Sequence, residues 1–242
     1  MIENLTQVDI MAFGAHPDDV EIGAGGLLAK EAALGYKVGI VDLTKGEMGT
    51  RGTSEIRASE AQKAAEILGA AWRINLEIPD SGVAVTENNI MQVVRLLRVC
   101  RPAIIIVPYW DDRHPDHVRT SQLVTDAHFK AGLKKLAPEL KAFRPNIIIY
   151  YFLNRMENCS FIVDVSGSYE KKQAAVEAHF SQFGEAGMKP LAVLGVKRPL
   201  QFIESRDRFQ GAQIGKAYGE AFLVRTPVHV EDPMQVWGPG KC

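Results

Sequence analysis

Sulfur, net charge and long apolar runs are all scarce in this chain, and each scarcity removes a class of function. The three cysteines, Cys100, Cys159 and Cys242, lie far apart. An odd number with no close pair gives no metal knuckle, no redox couple and no disulfide framework. They read as reduced structural or terminal thiols, so any metal must be held by nitrogen and oxygen. Lys and Arg number 28 against 29 Asp and Glu, a formal charge of −1. Nothing in that balance draws the protein to nucleic acid or to an anionic membrane. No apolar run approaches the roughly 18 residues that a membrane span needs. Met1-Ile2-Glu3-Asn4 lacks the basic region and apolar core of a signal peptide. The expectation is a cytoplasmic protein with neither nucleic-acid nor membrane partner.

What is present is ordinary globular composition, 46% hydrophobic and 24% charged over 242 residues, which sets aside the disordered and fibrous classes. No composition break, repeat or low-complexity segment divides the chain, so 1–242 reads as one domain. Its tail, 226–242, carries three prolines and Trp237 and suits contacts between copies.

Apolar runs at 8–15, 38–43, 72–76 and 103–107 read as strands, the last a β-branched run before Pro108. Helical spacing falls between and after them, at 22–34, 54–68, 88–99 and 118–131. Ser54 is placed to cap the second helix, and Gly35 and Gly69 to end the first two. Strict alternation of strand and helix argues a Rossmann-like α/β fold, a mostly parallel twisted sheet with helices on both faces. Beyond it the pattern loosens. Strands are expected at 146–152 and 160–165, helices at 168–180 and 200–214, a long loop at 184–198 and a short extended piece at 219–224. The loop 44–53 is too long for a simple connection, which makes it a candidate functional loop.

Two clusters follow apolar strands, where an open α/β sheet places its ligands. The first is Ala15-His16-Pro17-Asp18-Asp19-Val20-Glu21; the second is Asp111-Asp112-Arg113-His114-Pro115-Asp116-His117. His16 and Asp19, three apart, fall on one side of a turn or first helical turn, which leaves Asp18 free for proton work. His117 offers a third ligand. Two imidazoles and a carboxylate make a hydrolytic zinc set with one position kept open, though Fe2+ or another divalent ion also suits them. Taken alone, the first cluster could equally be a turn and helix cap; the second makes a joint metal site the better reading. The Gly23, Gly25 spacing could instead open a dinucleotide-binding turn, but Leu28 stands where the last glycine belongs, and two acids would repel a pyrophosphate.

These paired motifs resemble those of the PIG-L/LmbE-like zinc-dependent N-acetylglucosaminyl deacetylases. Gly46 to Gly52 and Glu55-Ile56-Arg57 resemble the branch that makes bacillithiol. The resemblance implies zinc on His16, Asp19 and His117. It implies Asp18 as the base toward the attacking water and His114 as the group that stabilises the oxyanion and protonates the leaving amine. It implies Asp116 as the carboxylate that orients His114, and Arg57 as a substrate-holding residue. It further implies release of acetate from an N-acetylglucosaminyl conjugate, first among them the malate conjugate, and a homo-oligomer, in some members a hexamer. Some branches add a tyrosine at the oxyanion; Pro199 falls in the corresponding region here.

From the residues alone, Arg51 is a further candidate for carboxylate or sugar recognition, since a planar fork of donors suits either. Asp80, in a turn at the same sheet edge, is a candidate for sugar hydroxyls. Glu21 reads as a helix N-terminal acid or a partner to the site. Tyr109 and Trp110 could line the pocket or simply be buried. His128, His179 and His229 read as packing or surface residues. A metal-binding protein without catalysis is the remaining alternative.

Overall fold

The computed structural model describes residues 5–184 and 199–237. Strands β1 (Ile10–Gly14), β2 (Val38–Asp42), β3 (Trp72–Asn75), β4 (Ile104–Pro108) and β5 (Ile147–Tyr151) pair in parallel, while β6 (Phe161–Asp164) and β7 (Gly219–Leu223) close the far edge. The sheet order is β3-β2-β1-β4-β5-β7-β6, with β7 antiparallel to both of its neighbours. The order reverses between β1 and β4, so the loops after these two strands open onto one crevice. Both expected clusters sit on those loops.

Strand period 2 sorts the core into two faces. Met11, Phe13, Ile105 and Val107 pack with Val93, Val94 and Leu97 of α3 (Glu87–Cys100) and with Leu123 and Val124 of α4 (Pro115–Ala131). Ile10, Ala12, Ile40 and Ile106 pack on the other face with Leu28 of α1 (Asp19–Ala33) and Ala65 and Leu68 of α2 (Ser54–Leu68). Burial on both faces explains why these strands read as continuous apolar runs. It also gives the glycines of α1 a reason. A Cβ on Gly23 would lie 2.0 Å from the Tyr151 ring, and one on Gly26 2.8 Å from Val165. These positions serve close helix-to-sheet contact, not a phosphate.

Two helices start earlier than their spacing suggests. α1 begins at Asp19, not 22, and α4 at Pro115, not 118. The polar motif residues supply the first turn of each helix, where apolar periodicity has not yet begun. The cap of α2 is Thr53, whose hydroxyl accepts from the Ile56 amide, and Ser54 is the first helical residue. The helix expected at 168–180 divides into α5 (Tyr169–Ala178) and α6 (Phe180–Phe183). α7 (Pro199–Gln213) and the short α8 (Pro233–Trp237) complete the described elements. The long loop expected at 184–198 lies almost wholly outside the described residues.

The last third of the chain is fastened to α1 by buried charge. Lys172 Nζ lies 2.6 Å from Asp207 Oδ2 and 2.7 Å from Glu220 Oε1, all three at most 1% exposed. The Glu220 carboxylate accepts from the Gly26 and Leu27 amides in the middle of α1 at 2.8 and 2.7 Å. Arg206 donates to the Ile22 carbonyl. Removing one member of such a set strands the others in a dry interior. Lys172→Met is expected to lower unfolding free energy by about 3–5 kcal/mol, read as a fall in the urea midpoint. A midpoint shift equivalent to less than about 1 kcal/mol would show that the network carries little.

Candidate active site

The turn after β1 is built around the Asp19 carboxylate. Its Oδ2 accepts from the Ala15 and His16 amides, each at 2.9 Å. The other oxygen faces His117 Nε2 at 3.2 Å. The His16 ring lies 3.5 Å from Asp19 through Nδ1, 3.1 Å from Asp80 Oδ1 and 3.5 Å from Asp116 Oδ2 through Nε2. Side-chain nitrogens of His16, His114 and His117 all fall within 4.8 Å of one another, as do ligand atoms of His16, Asp80 and Asp116. The sheet edge thus brings His16, Asp19 and His117 together from loops far apart in sequence, with Asp80 and Asp116 alongside.

The electrostatics ask for a cation. Burial works against charge on His16, yet hydrogen bonds to Asp116, Asp19 and Asp80 raise its pKa well above the ordinary value. Burial likewise opposes charge on His117, but the Asp19 charge and the Asp112 hydrogen bond push it up to about 9. Burial would raise Asp19; the His117 and His16 charges hold it well below the usual carboxylate range. So much negative charge around two imidazoles, offered by nitrogen and oxygen donors alone, fits a divalent metal of the zinc or ferrous kind.

Asp18 sits beside this set in a strained backbone conformation, φ 126°. Burial raises its pKa, opposed by the Arg57 charge and by the more weakly felt charge of His179. Arg57, only 5% exposed, donates to the carbonyls of Gly46 (3.1 Å) and Pro17 (2.9 Å) and stands 3.6 Å from Asp18 Oδ2. Its fork therefore clamps the 44–53 loop to the site turn, even though the residue also lines the cavity.

His114 is the N-cap of α4. Its Nδ1 accepts from the Asp116 amide at 3.2 Å, while the Asp116 carboxylate accepts from the Ser81 amide at 2.8 Å. The expected partnership thus runs through the Asp116 main chain, and its carboxylate is turned toward His16. Burial, then the His16 and His117 charges, lower the His114 pKa. Asp80, expected to meet sugar hydroxyls, reaches His16 instead, and its Oδ2 accepts from the Met48 amide at 2.9 Å.

A cavity of about 440 Å³ opens over these groups. Asp18, Asp19, His16, His114, His117, Asp80, Arg51 and Arg57 line it, with Arg113, Asn154, Pro199 and Phe202. No tyrosine lines it among the described residues. Tyr109 and Trp110 lie away from it, packed against Phe152 and Tyr150.

Three residues here had no role in the sequence reading. Asp112 Oδ1 lies 2.9 Å from His117 Nδ1 and accepts from the His114 amide and the Asn154 side-chain amide, both at 2.8 Å. Asn154 ties that carboxylate to the far side of the cavity. His179 is fully buried, 3.2 Å from Glu21 Oε1. The signal for Asp112 was present, an acid five residues ahead of His117; no local signal marks His179 or Asn154. A carboxylate behind a ligand imidazole fixes its tautomer and orientation. Asp112→Ala is expected to weaken metal binding about 10–100-fold, measured by competition with a chromophoric chelator; unchanged affinity would remove Asp112 from the site.

With this geometry in place, the chain can be set beside known proteins. Residues 11–128 match the family model described as PIG-L: GlcNAc-PI de-N-acetylase. The fold matches the crystal structure of the conserved protein TT1542 from Thermus thermophilus at 37% identity and TM-score 0.83, covering 93% of this chain and 97% of that one. N,N'-diacetylchitobiose deacetylase from Pyrococcus horikoshii superposes with TM-score 0.79 at 25% identity, over 92% of this chain and 88% of that one. A curated relative, the diacetylchitobiose deacetylase of Thermococcus kodakarensis, is 31% identical over 192 residues, 73% of this chain and 70% of its own length. The bacillithiol branch is not singled out by these likenesses. A metal-suited cluster at the sheet edge and these relatives agree: the chain belongs to the PIG-L family of metal-dependent N-deacetylases.

Proposed function

We propose that the chain hydrolyses the N-acetyl amide of an N-acetylglucosaminyl conjugate, with the malate conjugate of bacillithiol biosynthesis as the first substrate to try. The observation that carries this reading is the meeting of His16, Asp19 and His117 in one cavity with Asp18 and His114 beside them. Arg51 and Arg113 line the same cavity, which suits an aglycone bearing a carboxylate.

His16, Asp19 and His117 are the proposed ligands of a zinc or other divalent ion, which when bound polarises an amide carbonyl and acidifies water. The rest is the work of the chain. Asp18, whose burial favours holding a proton, takes one from the attacking water. The water oxygen bonds to the acyl carbon. The Asp116 amide occupies His114 Nδ1, which leaves the ring proton on Nε2 as a donor to the oxyanion. As the C–N bond breaks, the proton that Asp18 took from water passes to the departing nitrogen, while His114 keeps its single ring proton toward the oxyanion. Acetate and a free amino sugar leave. Arg57 holds the loop and the turn in register from the cavity wall, where it is the proposed substrate-holding residue. Asp80, beside His16, limits the space around the ligands and can still meet a sugar hydroxyl.

The test is acetate release from N-acetylglucosaminyl-malate beside diacetylchitobiose and other GlcNAc conjugates, with and without chelator. Activity that survives complete chelation would refute the metal reading. Asp18→Asn should keep its metal and lose about 10²–10⁴-fold in kcat, the usual yield of general-base catalysis; full turnover in the metal-loaded variant would remove Asp18 from the base role. We also propose a homo-oligomer, a hexamer by family resemblance, with the 226–242 tail docking on a neighbour. A monomer in light scattering would overturn it.

A further inference from the structure

The loops that follow β4 and β5 are clasped through two consecutive residues on each side, and the proposed reaction uses neither pair directly. Arg155 Nη1 lies 2.8 and 2.7 Å from the two Asp111 oxygens, an exposed ion pair. Beside it, Asn154 takes Asp112 with two donors. Its Nδ2 gives to Oδ1 at 2.8 Å, and its main-chain N–H gives to Oδ2 at 3.1 Å. The two pairs differ in worth. An exposed ion pair adds little. The Asp112 side chain is only 2% exposed, so each donor it keeps matters.

Asp112 serves both histidines of the second cluster. Its Oδ1 accepts from the His114 amide at 2.8 Å and stands 2.9 Å from His117 Nδ1. With three N–H groups from His114 and Asn154 already directed at it, the carboxylate acts as an acceptor. His117 meets it through Nδ1 and turns Nε2 toward Asp19 Oδ1, 3.2 Å away. This arrangement needs the carboxylate plane to stay fixed. A rotation of Oδ1 would release the His117 ring and the His114 main chain together.

Asn154 is placed to prevent that rotation, because it holds one oxygen with its side chain and the other with its backbone. Its own footing is firm. Just before it, the exit of β5 is pinned at three points. The Tyr151 hydroxyl donates to the Phe13 carbonyl at 2.9 Å, the Tyr109 amide to the Tyr151 carbonyl at 2.8 Å, and Arg206 to the Phe152 carbonyl at 3.2 Å. Leu153, the next residue, is buried.

We propose that Asn154 is a positioning residue: by donating from side chain and backbone to Asp112, it fixes the carboxylate that orients His117 and the start of α4. This rests on the reading of His117 as a metal ligand, and not on the identity of the sugar conjugate. Asn154→Ala removes the side-chain donor and keeps the backbone one. Asn154→Asp keeps the shape but replaces the donor with an acceptor and sets a second acid against Asp112. Cobalt(II) affinity, read by competition with a chromophoric chelator, should fall about 10-fold in Asn154→Ala and further in Asn154→Asp. The visible bands of the cobalt-loaded protein should shift in both. Affinity and bands like those of the wild type overturn the proposal. So does tighter binding by Asn154→Asp than by Asn154→Ala, since shape and not donation would then matter. In an Asp112→Ala background, Asn154→Ala should cost nothing more, because its effect passes through Asp112; additive losses overturn the proposal, and this cycle decides the matter if Asn154→Asp does not fold. In acetate release, Asn154→Ala should lower kcat with KM unchanged. A rise in KM alone would make Asn154 a substrate contact and defeat the positioning role. Wild-type protein that binds no cobalt fails the metal reading and this proposal with it, whereas wild-type binding with indifferent variants fails this proposal alone.

Discussion

The Asp19 carboxylate is held from both ends, and the rest of the site is arranged about that grip. One oxygen is spent on two consecutive backbone amides of the β1–α1 turn, so the carboxylate cannot rotate without breaking them. The other is left to face His117, which arrives from α4 on the far side of the topological switch. Because α1 starts at Asp19 itself, the first helical turn and the proposed ligand set are a single piece of structure. The turn's stiffness comes from farther away, from glycines that let α1 lie flat against Tyr151 and from Arg57 bridging two loops.

Charge is the second constraint. The site gathers acids around two imidazoles, and the layer below gathers acids around Arg73. In each, burial penalises the charged forms and only close pairing restores them. That is why His16 and His117 are raised while Asp19 and Asp112 are lowered. In the proposed reading a metal ion on His16, Asp19 and His117 answers the demand in the upper layer. In the lower one Arg73 pairs with Glu21 and Asp42.

Much of this was legible in the residues. Continuous apolar runs gave the parallel strands because burial on two faces removes alternation. His16 and Asp19 were read onto one side of a turn by their spacing, and the structure brings both beside His117. Helix starts were read too late, since Asp19 and Pro115 are polar or cyclic and carry no apolar period. The antiparallel β7 between β5 and β6 was not foreseen, because register and order depend on pairing between distant segments. Asp80 and Asp116 reach His16 through loop geometry that no local pattern encodes. His179 escaped for a related reason: a lone histidine at a helix end shows its neighbours only after folding.

The fastening of the C-terminal third to α1 bears on what counts as the working unit. The family signature ends at residue 128, and every proposed ligand lies within it. Yet Glu220 takes the amides of Gly26 and Leu27, Arg206 takes the Ile22 carbonyl, and His179 meets Glu21, all on the helix that presents Asp18 and Asp19. The signature segment therefore supplies the chemistry without the scaffold that aligns it. Divergence in the second half of the chain can retune the proposed catalytic turn from behind while leaving every motif residue intact.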